Sequence, residues 1–271
     1  MRRVAWVSVF CFGVSASMAQ TPVISAGGVA NGASFGLAPN NAVTPGSLIS
    51  VFGTNLASGT ASADSIPLSN NLGGVSVTIG GFPAPLNFVC HLCVGGTGDQ
   101  LNIQMPWEVT GSSAQVVVTR NGSPSQPASV AVAQFNPGIF SVNNGVGVAI
   151  AFFVDGALAA PSGSIPGLAT RPAKAGDVLQ ILATGLGAVN SPPADGANSL
   201  DMLRNTNTMP TVLIGGQQAQ VAFSGLSPQF VGVDQVNAVV PSGAPTGNTV
   251  PLQFAIGGLT TTNQVTIAVS Q

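Results

Sequence analysis

The sequence predicts an all-β protein made of two tandem β-sandwich domains, and three observations support this prediction. Only 5% of the 271 residues are charged, far below the roughly one quarter typical of soluble chains. One Lys and one Glu cannot supply the polar face that a long surface helix requires. Short stretches that alternate apolar and polar residues are separated by glycine pairs, and three blocks of sequence recur at nearly constant spacing.

Residues 1–19 have the pattern of a secretory leader. Arg2 and Arg3 form a basic start, residues 4–15 are mostly apolar, and residues 17–19 form a small–x–small cleavage site. The apolar run is shorter than the about 20 residues that a membrane-spanning helix needs. We therefore expect the rest of the chain to have no membrane span and to lie outside the cytoplasm, whether secreted, periplasmic or on the cell surface.

The first predicted domain covers residues 20–140. Alternating or β-branched stretches predict strands at 75–79, 101–105 and 116–118. Gly80-Gly81 and Asn121-Gly122 supply the positive φ angles that tight hairpin turns require. Helical periodicity is nearly missing from this part of the sequence, so we expect strands joined by short turns.

The second predicted domain covers residues 141–271. The stretch 146–153 and the turn Asp155-Gly156 predict a hairpin that leads into this domain. Residues 159–173 are rich in Pro, Gly and Ser and predict a loop, and residues 191–208 predict an irregular insertion. The β-branched stretch 265–269 predicts a strand. Two Ig-like sandwiches of roughly 100 residues each fit this length.

Three blocks of sequence occur twice. Residues 45–56 match 175–186, residues 77–81 match 212–216, and residues 99–106 match 234–241, at offsets of 130, 135 and 135. Chance rarely preserves both order and spacing in three blocks. The sequence therefore predicts a duplicated domain.

Several motifs carry a resemblance to known families. The block from Pro45-Gly46-Ser47-Leu48 to Gly53-Thr54-Asn55-Leu56 resembles the opening of IPT/TIG domains, which are Ig-like folds. A wider set is similar to the uncharacterised C-terminal domain family of Solibacter-type acidobacteria: Asn31-Gly32-Ala33-Ser34-Phe35, Leu72-Gly73-Gly74-Val75, Gln104-Met105-Pro106-Trp107-Glu108, Pro137-Gly138-Ile139-Phe140 and Gln235-Val236-Asn237. The resemblance implies tandem Ig-like units on exported bacterial proteins, and it implies no enzymatic activity. This chain departs from the family at residues 90–98, where a short turn is usual.

That departing segment contains Cys90 and Cys93 in a CxxC motif, with the one histidine of the chain, His91, between them. A redox site of the thioredoxin type needs a helix and a βαβ context, and zinc needs about four ligands. We favour a structural disulfide between Cys90 and Cys93, which suits an oxidising compartment. Redox and metal roles remain alternatives, and His91 is a candidate ligand or partner contact.

A serine hydrolase is a remote alternative. Ser34 lies in a GxSxG pattern, and Asp64 and His91 follow in the order that α/β-hydrolases use. No helix pattern follows Phe35, although the nucleophile turn of those enzymes joins a strand to a helix. We therefore predict no catalytic residues, no cofactor and no resident metal.

Trp107 is the one Trp outside the predicted leader. It could stack on a sugar or dock a partner, or it could fill the space between the two domains or at a core edge, which we favour.

Six cations in all exclude the basic footprint of a nucleic-acid binder. The predicted function is a non-enzymatic, exported Ig-like module for extracellular structure, adhesion or protein–protein contact, its partner an unknown protein or polysaccharide. The alternative is a carbohydrate-binding module that uses Trp107 and nearby Phe side chains.

Overall fold

A computed structural model describes residues 20–36 and 41–271, and the predicted leader lies outside these residues. Within the described ranges the regular structure consists of strands and turns, without an α-helix. The all-β sandwich class predicted from the sequence is therefore confirmed. No helix in these ranges has the length and apolar character to cross a membrane.

Eleven strands form the first part of the fold, β1(Val23–Asn31), β2(Ala42–Val43), β3(Leu48–Thr54), β4(Ala61–Ser62), β5(Val75–Ile79), β6(Phe82–Ala84), β7(Leu86–Val94), β8(Gly98–Gln104), β9(Ser113–Arg120), β10(Ser123–Pro124) and β11(Ala128–Val132). They form one sheet of order β1-β3-β8-β7-β4 and a second of order β2-β11-β9-β5-β6, with β10 paired to β9. Both sheets contribute apolar side chains to one core, so the two layers form a sandwich.

This first core draws on alternate residues of the strands, as expected for half-buried sheets. Ile49, Val51, Leu101 and Ile103 come from one sheet, and Val75, Val77, Val116 and Val118 come from the other, all of them buried. The tight hairpin between β5 and β6 turns at Gly80-Gly81, whose φ angles are 60° and 89°. The sequence predicted this hairpin for the same reason.

Thirteen strands form the second part, β12(Gly138–Ile139), β13(Ser141–Asn143), β14(Val146–Ala149), β15(Ala151–Phe152), β16(Leu158–Ala159), β17(Thr170–Arg171), β18(Val178–Thr184), β19(Thr211–Ile214), β20(Gln217–Leu226), β21(Asp234–Val239), β22(Gly247–Ile256), β23(Leu259–Thr260) and β24(Val265–Val269). They are linked in the order β13-β14-β24-β22-β19-β20-β21-β18-β15-β16-β17, with β12 paired to β18 and β23 to β22. A second buried apolar cluster lies here, and its members run from Ile139 to Val269.

One strand connects the two layers of this second part. The start of β20 pairs with β19, where Val212 faces Ala219, and its remainder pairs with β21, where Leu226 faces Asp234. At the corresponding place in the first part, Pro85 separates β6 from β7. Proline has no backbone N–H, so it interrupts strand pairing there.

The two parts share strand register at the spacing of the sequence repeat. Gly53 of β3 faces Asp99 of β8, and Ala183 of β18 faces Asp234 of β21. A Gln-x-Asn side-chain hydrogen bond also occurs in each, from Gln100 to Asn102 at 2.8 Å and from Gln235 to Asn237 at 2.9 Å. These matches agree with the predicted duplication, while the domain boundary near residue 140 stays a prediction.

The residues of the hairpin predicted near 146–153 form two strands, β14 and β15, which pair with different partners. β14 pairs with β24 in parallel, and β15 pairs with β16 across the turn at Asp155-Gly156. The segments 159–173 and 191–208 are mostly irregular, apart from β17 and a few isolated bridges. Both irregular stretches therefore lie where the sequence predicted them.

Candidate functional site

Backbone and side-chain hydrogen bonds join the first part of the chain to the second. Leu48 N–H donates to Gly232 O at 2.7 Å and to Thr184 Oγ1 at 2.9 Å. The Thr184 hydroxyl itself donates to Gly232 O at 2.7 Å. Leu48 lies at the start of β3 and Thr184 at the end of β18, so this contact ties the two sandwiches strand to strand. We call the surface around this contact the junction.

Two asparagine side chains secure the connecting segment at the junction. Asn31 Nδ2 donates to Asn136 O at 2.7 Å, and Asn136 Nδ2 donates to Ala42 O at 2.7 Å. Both asparagines are buried. A buried amide group in this position specifies one arrangement of the chain, because leaving its polar atoms unpaired is costly.

Trp107 lies at the junction, just beyond the end of β8. Its ring covers Gly46, where a Cβ atom would overlap the six-membered part of the indole. The backbone N–H of Trp107 donates to Asp195 Oδ1 at 3.1 Å, which links it to the second part of the chain. Its Nε1 is buried and has no hydrogen-bond partner within the described residues. Trp107 therefore fills space between the two parts, and its buried face is not free to stack on a ligand.

A cleft of about 290 Å³ opens beside this ring. We call it the junction cleft, and its lining residues are Thr44, Pro45, Trp107, Val109, Thr110, Gln134, Ala188, Val189 and Pro192. Most of these side chains are apolar or have methyl groups, so the cleft suits an apolar group better than a charged one.

Two carboxyl groups lie next to Trp107. Burial raises the pKa of Asp195, and the hydrogen bond and negative charge of Glu108 raise it further, to about 6, although the Trp107 N–H opposes this change. Because neighbouring acidic groups cannot both ionise at low cost, Asp195 stays protonated to a higher pH than an ordinary aspartate.

A third carboxyl group, Asp234, is buried at the junction behind Trp107. Burial raises its pKa to about 7, and a hydrogen bond from Leu186 N–H at 3.0 Å only partly offsets that increase. A narrow gap lies between the two parts of the chain, and its lining includes Asp234, Gly46, Trp107 and Leu186. The junction therefore encloses two acidic groups that are easily protonated.

The repeat-equivalent Asp99 has a different environment, at the far end of β3. Its carboxylate accepts hydrogen bonds from Leu56 N–H at 2.7 Å and Ala57 N–H at 3.2 Å on one oxygen. The other oxygen accepts from Leu92 N–H at 2.9 Å and contacts His91 Nδ1 at 2.9 Å. Burial by itself raises the pKa of Asp99, but these hydrogen bonds outweigh burial and hold it below its usual value.

Cys90 and Cys93 lie side by side, with their Cα atoms 5.9 Å apart, and the disulfide between them stays a prediction. Cys90 is buried and Cys93 is exposed, while the His91 side chain is 34% exposed and oriented by Asp99. Within the residues that the structure describes, no group of three or more His, Cys, Asp or Glu side chains could hold a metal ion. His91 thus supports the loop through Asp99, and its part in ligand contact stays a prediction.

Ser34 and His91 are not brought together. Ser34 N–H donates to Asn31 Oδ1, and Asn31 faces Ile49 near the start of β3. His91 contacts Asp99, which faces Gly53 at the other end of that strand. These two register positions are four residues apart along β3, a distance of roughly 13 Å. Ser34 Oγ is buried without a hydrogen-bond partner in the described residues, so no hydrolase dyad is assembled.

A loop of the second part exposes several apolar side chains. We call residues 199–204 the Arg204 loop, because the guanidinium of Arg204 is buried inside it. That group donates to Ser191 O at 2.7 Å and to Ser199 Oγ at 3.1 Å, and it forms an ion pair with Asp201. On the outside, Leu200 and Leu203 are 67% and 68% exposed. The loop therefore has a polar interior and an apolar surface.

Comparison with known proteins gives weak structural likenesses. No family model matches the chain, and no curated protein matches its sequence. The fold is similar to a surface glycan-binding protein of the Bacteroides ovatus mixed-linkage glucan utilization locus, solved with a heptasaccharide, at 14% identity and TM-score 0.28 over 84% of this chain and 42% of that one. It is also similar to domains 5–6 of the S-layer protein SbsC, at 13% identity and TM-score 0.27 over 92% and 98% of the two chains. A third likeness is to the Yersinia pseudotuberculosis adhesin InvE, at 16% identity and TM-score 0.23 over 92% and 58%.

These TM-scores are too low to carry an argument about function. The chain also spans less than half the length of the glycan-binding protein and 20% of a plexin A4 extracellular region to which it is similar.

Sequence patterns contained little sign of the Arg204 loop or of the paired carboxyls. Asp195 and Glu108 are 87 positions apart and meet only because the two parts pack together. The available signal for the loop was one arginine beside Leu200, Met202 and Leu203, inside a stretch that otherwise had the composition of an insertion. Trp107 was recognisable as a rare residue, and its buried face agrees with the space-filling interpretation.

Proposed function

We propose that this protein is an exported, non-enzymatic Ig-like module that makes protein–protein contacts outside the cytoplasm. The observation that carries the proposal is the Arg204 loop, whose exposed leucines are held on a preorganised scaffold. Preorganised apolar side chains bind partners well because little conformational freedom is lost on association. The secretory leader pattern and the resemblance to exported bacterial Ig-like domains support the extracytoplasmic location.

Low charge supports the same proposal. Four cations remain outside the predicted leader, and Arg204 is committed to its own loop. Such a surface offers little electrostatic attraction for nucleic acid or anionic lipid. Apolar contact is the interaction that this surface supplies best.

A carbohydrate ligand in the junction cleft is the second candidate. Trp107 forms one wall of that cleft, and Gln134 and Thr110 supply polar groups of the kind that bind sugar hydroxyls. Against it, the Trp107 ring covers Gly46 and its Nε1 is buried. Sugar-binding surfaces usually need an open aromatic face.

Site-directed photo-crosslinking distinguishes the two candidates. The photoreactive amino acid p-benzoylphenylalanine replaces Leu203 in one variant and Val154, which is 83% exposed, in a matched control. We expect irradiation of intact expressing cells to give a discrete protein adduct from position 203 and none from position 154. Binding to a glycan array that is lost in Thr110→Arg, without any protein adduct at position 203, would establish the second candidate instead.

A further inference from the structure

The irregular insertion of the second part touches the first part through two adjacent residues, Asp195 and Gly196. Trp107 N–H donates to Asp195 Oδ1 at 3.1 Å, and Gly196 N–H donates to the buried Gln104 side chain at 2.6 Å. Leu68 N–H donates to Gly196 O at 2.8 Å. These two residues therefore bind both the end of β8 and the loop between β4 and β5.

The chain around these two residues is shaped for close contact. We call residues 194–197 the latch, and a hydrogen bond from Ala197 N–H to Ala194 O at 3.0 Å closes its turn. Gly196 has a φ of 79°, and a Cβ atom there would lie 2.7 Å from Leu68 O. Because only glycine allows this approach at this backbone angle, the latch is a fitted contact rather than a loose loop.

The latch brings two acidic side chains together across the boundary. The carboxyl group of Asp195, in the second part, hydrogen-bonds to that of Glu108, in the first. An ionised carboxylate can only accept hydrogen bonds, so this bond exists while one of the two groups carries a proton. When both are ionised the bond is lost, and a negative charge on each part repels the other.

Basic side chains do not offset this repulsion. In the described ranges, ion pairs involve other acids, namely Asp99, Asp155, Asp177 and Asp201. The other charged groups on elements that contact or adjoin the latch are Asp64, four residues before Leu68, Asp234 behind Trp107, and the Asp201–Arg204 pair within the insertion. The latch therefore sits in an environment where its acids are balanced by a proton and not by a cation.

We propose that the latch is an acid-closed contact between the two parts, held by a protonated Asp195 and released when Asp195 and Glu108 are both ionised. Pro192, three residues before Asp195, forms part of the junction cleft wall. Release of the latch thus also loosens one side of that cleft. This regulation stands independently of the proposed contact function of the Arg204 loop.

The direction of the pH dependence follows from proton binding. With the latch closed, burial and Glu108 raise the pKa of Asp195 to about 6, whereas a solvated aspartate has a pKa of about 3.9. The closed latch binds the proton more tightly, so acid favours closure. The ratio of closed to released latch should increase at least about tenfold as pH falls from 7 to 4.5.

Amide hydrogen exchange, followed by NMR on the protein expressed from the full chain, measures this ratio. We expect the protection factors of the Trp107 and Gly196 amides, corrected for intrinsic exchange, to increase at least about tenfold from pH 7 to pH 4.5. The Gly80 and Gly215 amides are references, because they donate to Gln115 O and Pro251 O within their own sandwiches at 2.9 and 2.7 Å. Their protection should change less than that of the latch.

Three substitutions separate the carboxyl pair from general effects of pH. In Asp195→Asn the amide still accepts from Trp107 N–H and donates to Glu108 in either charge state, so protection should be equal at both pH values. Glu108→Gln removes the facing charge and should reduce the pH dependence without abolishing it, because Asp195 stays buried. Asp155→Asn changes a 61% exposed carboxyl elsewhere and should keep the parent behaviour.

Three results would overturn the inference. They are latch protection that does not depend on pH, pH dependence that persists unchanged in Asp195→Asn and Glu108→Gln, or an equal change at Gly80 and Gly215. The last result would mean that the stability of the whole fold, rather than the latch, responds to pH. Circular dichroism of each variant, matched to the parent spectrum, verifies that it is folded.

Discussion

At the residue scale, two aspartates in equivalent repeat positions have opposite electrostatic environments. Asp99 accepts backbone hydrogen bonds from Leu56, Ala57 and Leu92 as well as the contact with His91, and its pKa is lowered despite burial. Asp234 has Leu186 N–H as its hydrogen-bond donor within the described residues, and burial raises its pKa to about 7. Three of the contacts to Asp99, from Ala57, Leu92 and His91, have no counterpart at Asp234 within the described residues.

We expect Asp99→Asn and Asp234→Asn to change stability in opposite directions at pH 8. An Asn at position 99 brings an N–H₂ group toward amide donors, so the variant should lose at least about 1 kcal/mol. An Asn at position 234 keeps an acceptor for Leu186 N–H and removes an acid that ionises unfavourably, so that variant should be more stable than the parent. Urea unfolding followed by circular dichroism measures both changes.

The pH dependence of these differences has a defined sign. Because the pKa of Asp99 is lowered in the fold, its stabilisation is present above its unfolded value of about 3.9 and is lost as pH falls below that value. Because the pKa of Asp234 is raised, its unfavourable contribution grows as pH rises from about 4 toward 7. Equal effects of both substitutions at every pH would contradict this interpretation.

The predicted disulfide has its own test at this scale. Cys90 and Cys93 close a short ring, so the bond constrains little of the unfolded chain and Cys90→Ser should cost no more than about 2 kcal/mol. Alkylation of the exported protein, followed by mass measurement, should label neither thiol before reduction and both after it. Two labelled thiols before reduction would show that the pair is not bonded.

At the element scale, the turn before β3 depends on a glycine that Trp107 covers. Gly46 has a φ of 81°, and Gly216, in the β19–β20 turn, has a φ of 80° with open space where an alanine methyl group would lie. Gly46→Ala and Gly216→Ala therefore carry the same backbone strain, but only the first displaces the indole.

We expect Gly46→Ala to destabilise the fold by at least about 1 kcal/mol more than Gly216→Ala, as overpacking usually does. Trp107 is the one Trp outside the predicted leader, so its fluorescence reports the displacement directly. The emission maximum should shift to longer wavelength in Gly46→Ala alone. Identical spectra and stabilities would show that the indole does not pack on Gly46.

Local sequence signals predicted several strands but not how they pair. The β5–β6 and β9–β10 hairpins followed from strand patterns joined by Gly-Gly and Asn-Gly pairs, because these signals act over a few residues. The sequence did not predict that β20 runs without a break through both layers of the second part. In the first repeat, Pro85 separates the corresponding strands β6 and β7, and no such residue marks the course of β20. Likewise, the parallel pairing of β14 with β24 joins residues more than 100 positions apart.

The candidate site was predictable to a smaller extent for the same reason. Trp107 was identifiable as a rare residue at a strand end, and the CxxC motif was identifiable from spacing alone. The pKa values of Asp195 and Asp234 depend on burial at the junction, which no local pattern encodes. Arg204 was visible in the sequence, but its burial under three exposed apolar residues depends on the path of the loop.

At the scale of the whole molecule, two separate cores are joined through polar contacts. Apolar clusters on each side of the junction stabilise the two sandwiches, whereas hydrogen bonds from Leu48, Leu68 and Gly196 cross between them. The bond from Gly196 N–H ends on the buried Gln104 side chain at 2.6 Å. Because these crossing groups are buried, separating the sandwiches would expose or leave unpaired several donors at once. We therefore expect the two parts to unfold together.

Thr184→Val tests this coupling, with Thr261→Val as its control. Both threonines are buried and accept a backbone N–H, at 2.9 Å from Leu48 and 3.0 Å from Phe254. Only Thr184 joins the two parts, so Thr184→Val should broaden or split the calorimetric transition, while Thr261→Val should lower the midpoint and keep one transition. Thr184→Val also removes the bond that its hydroxyl donates to Gly232 O. Because losses of about 1 kcal/mol per hydrogen bond lower the midpoint in both variants, a change in the number or width of transitions is the result that reports on the junction. One sharp transition in both variants would mean that packing between the sandwiches, rather than the Thr184 contact, couples their unfolding.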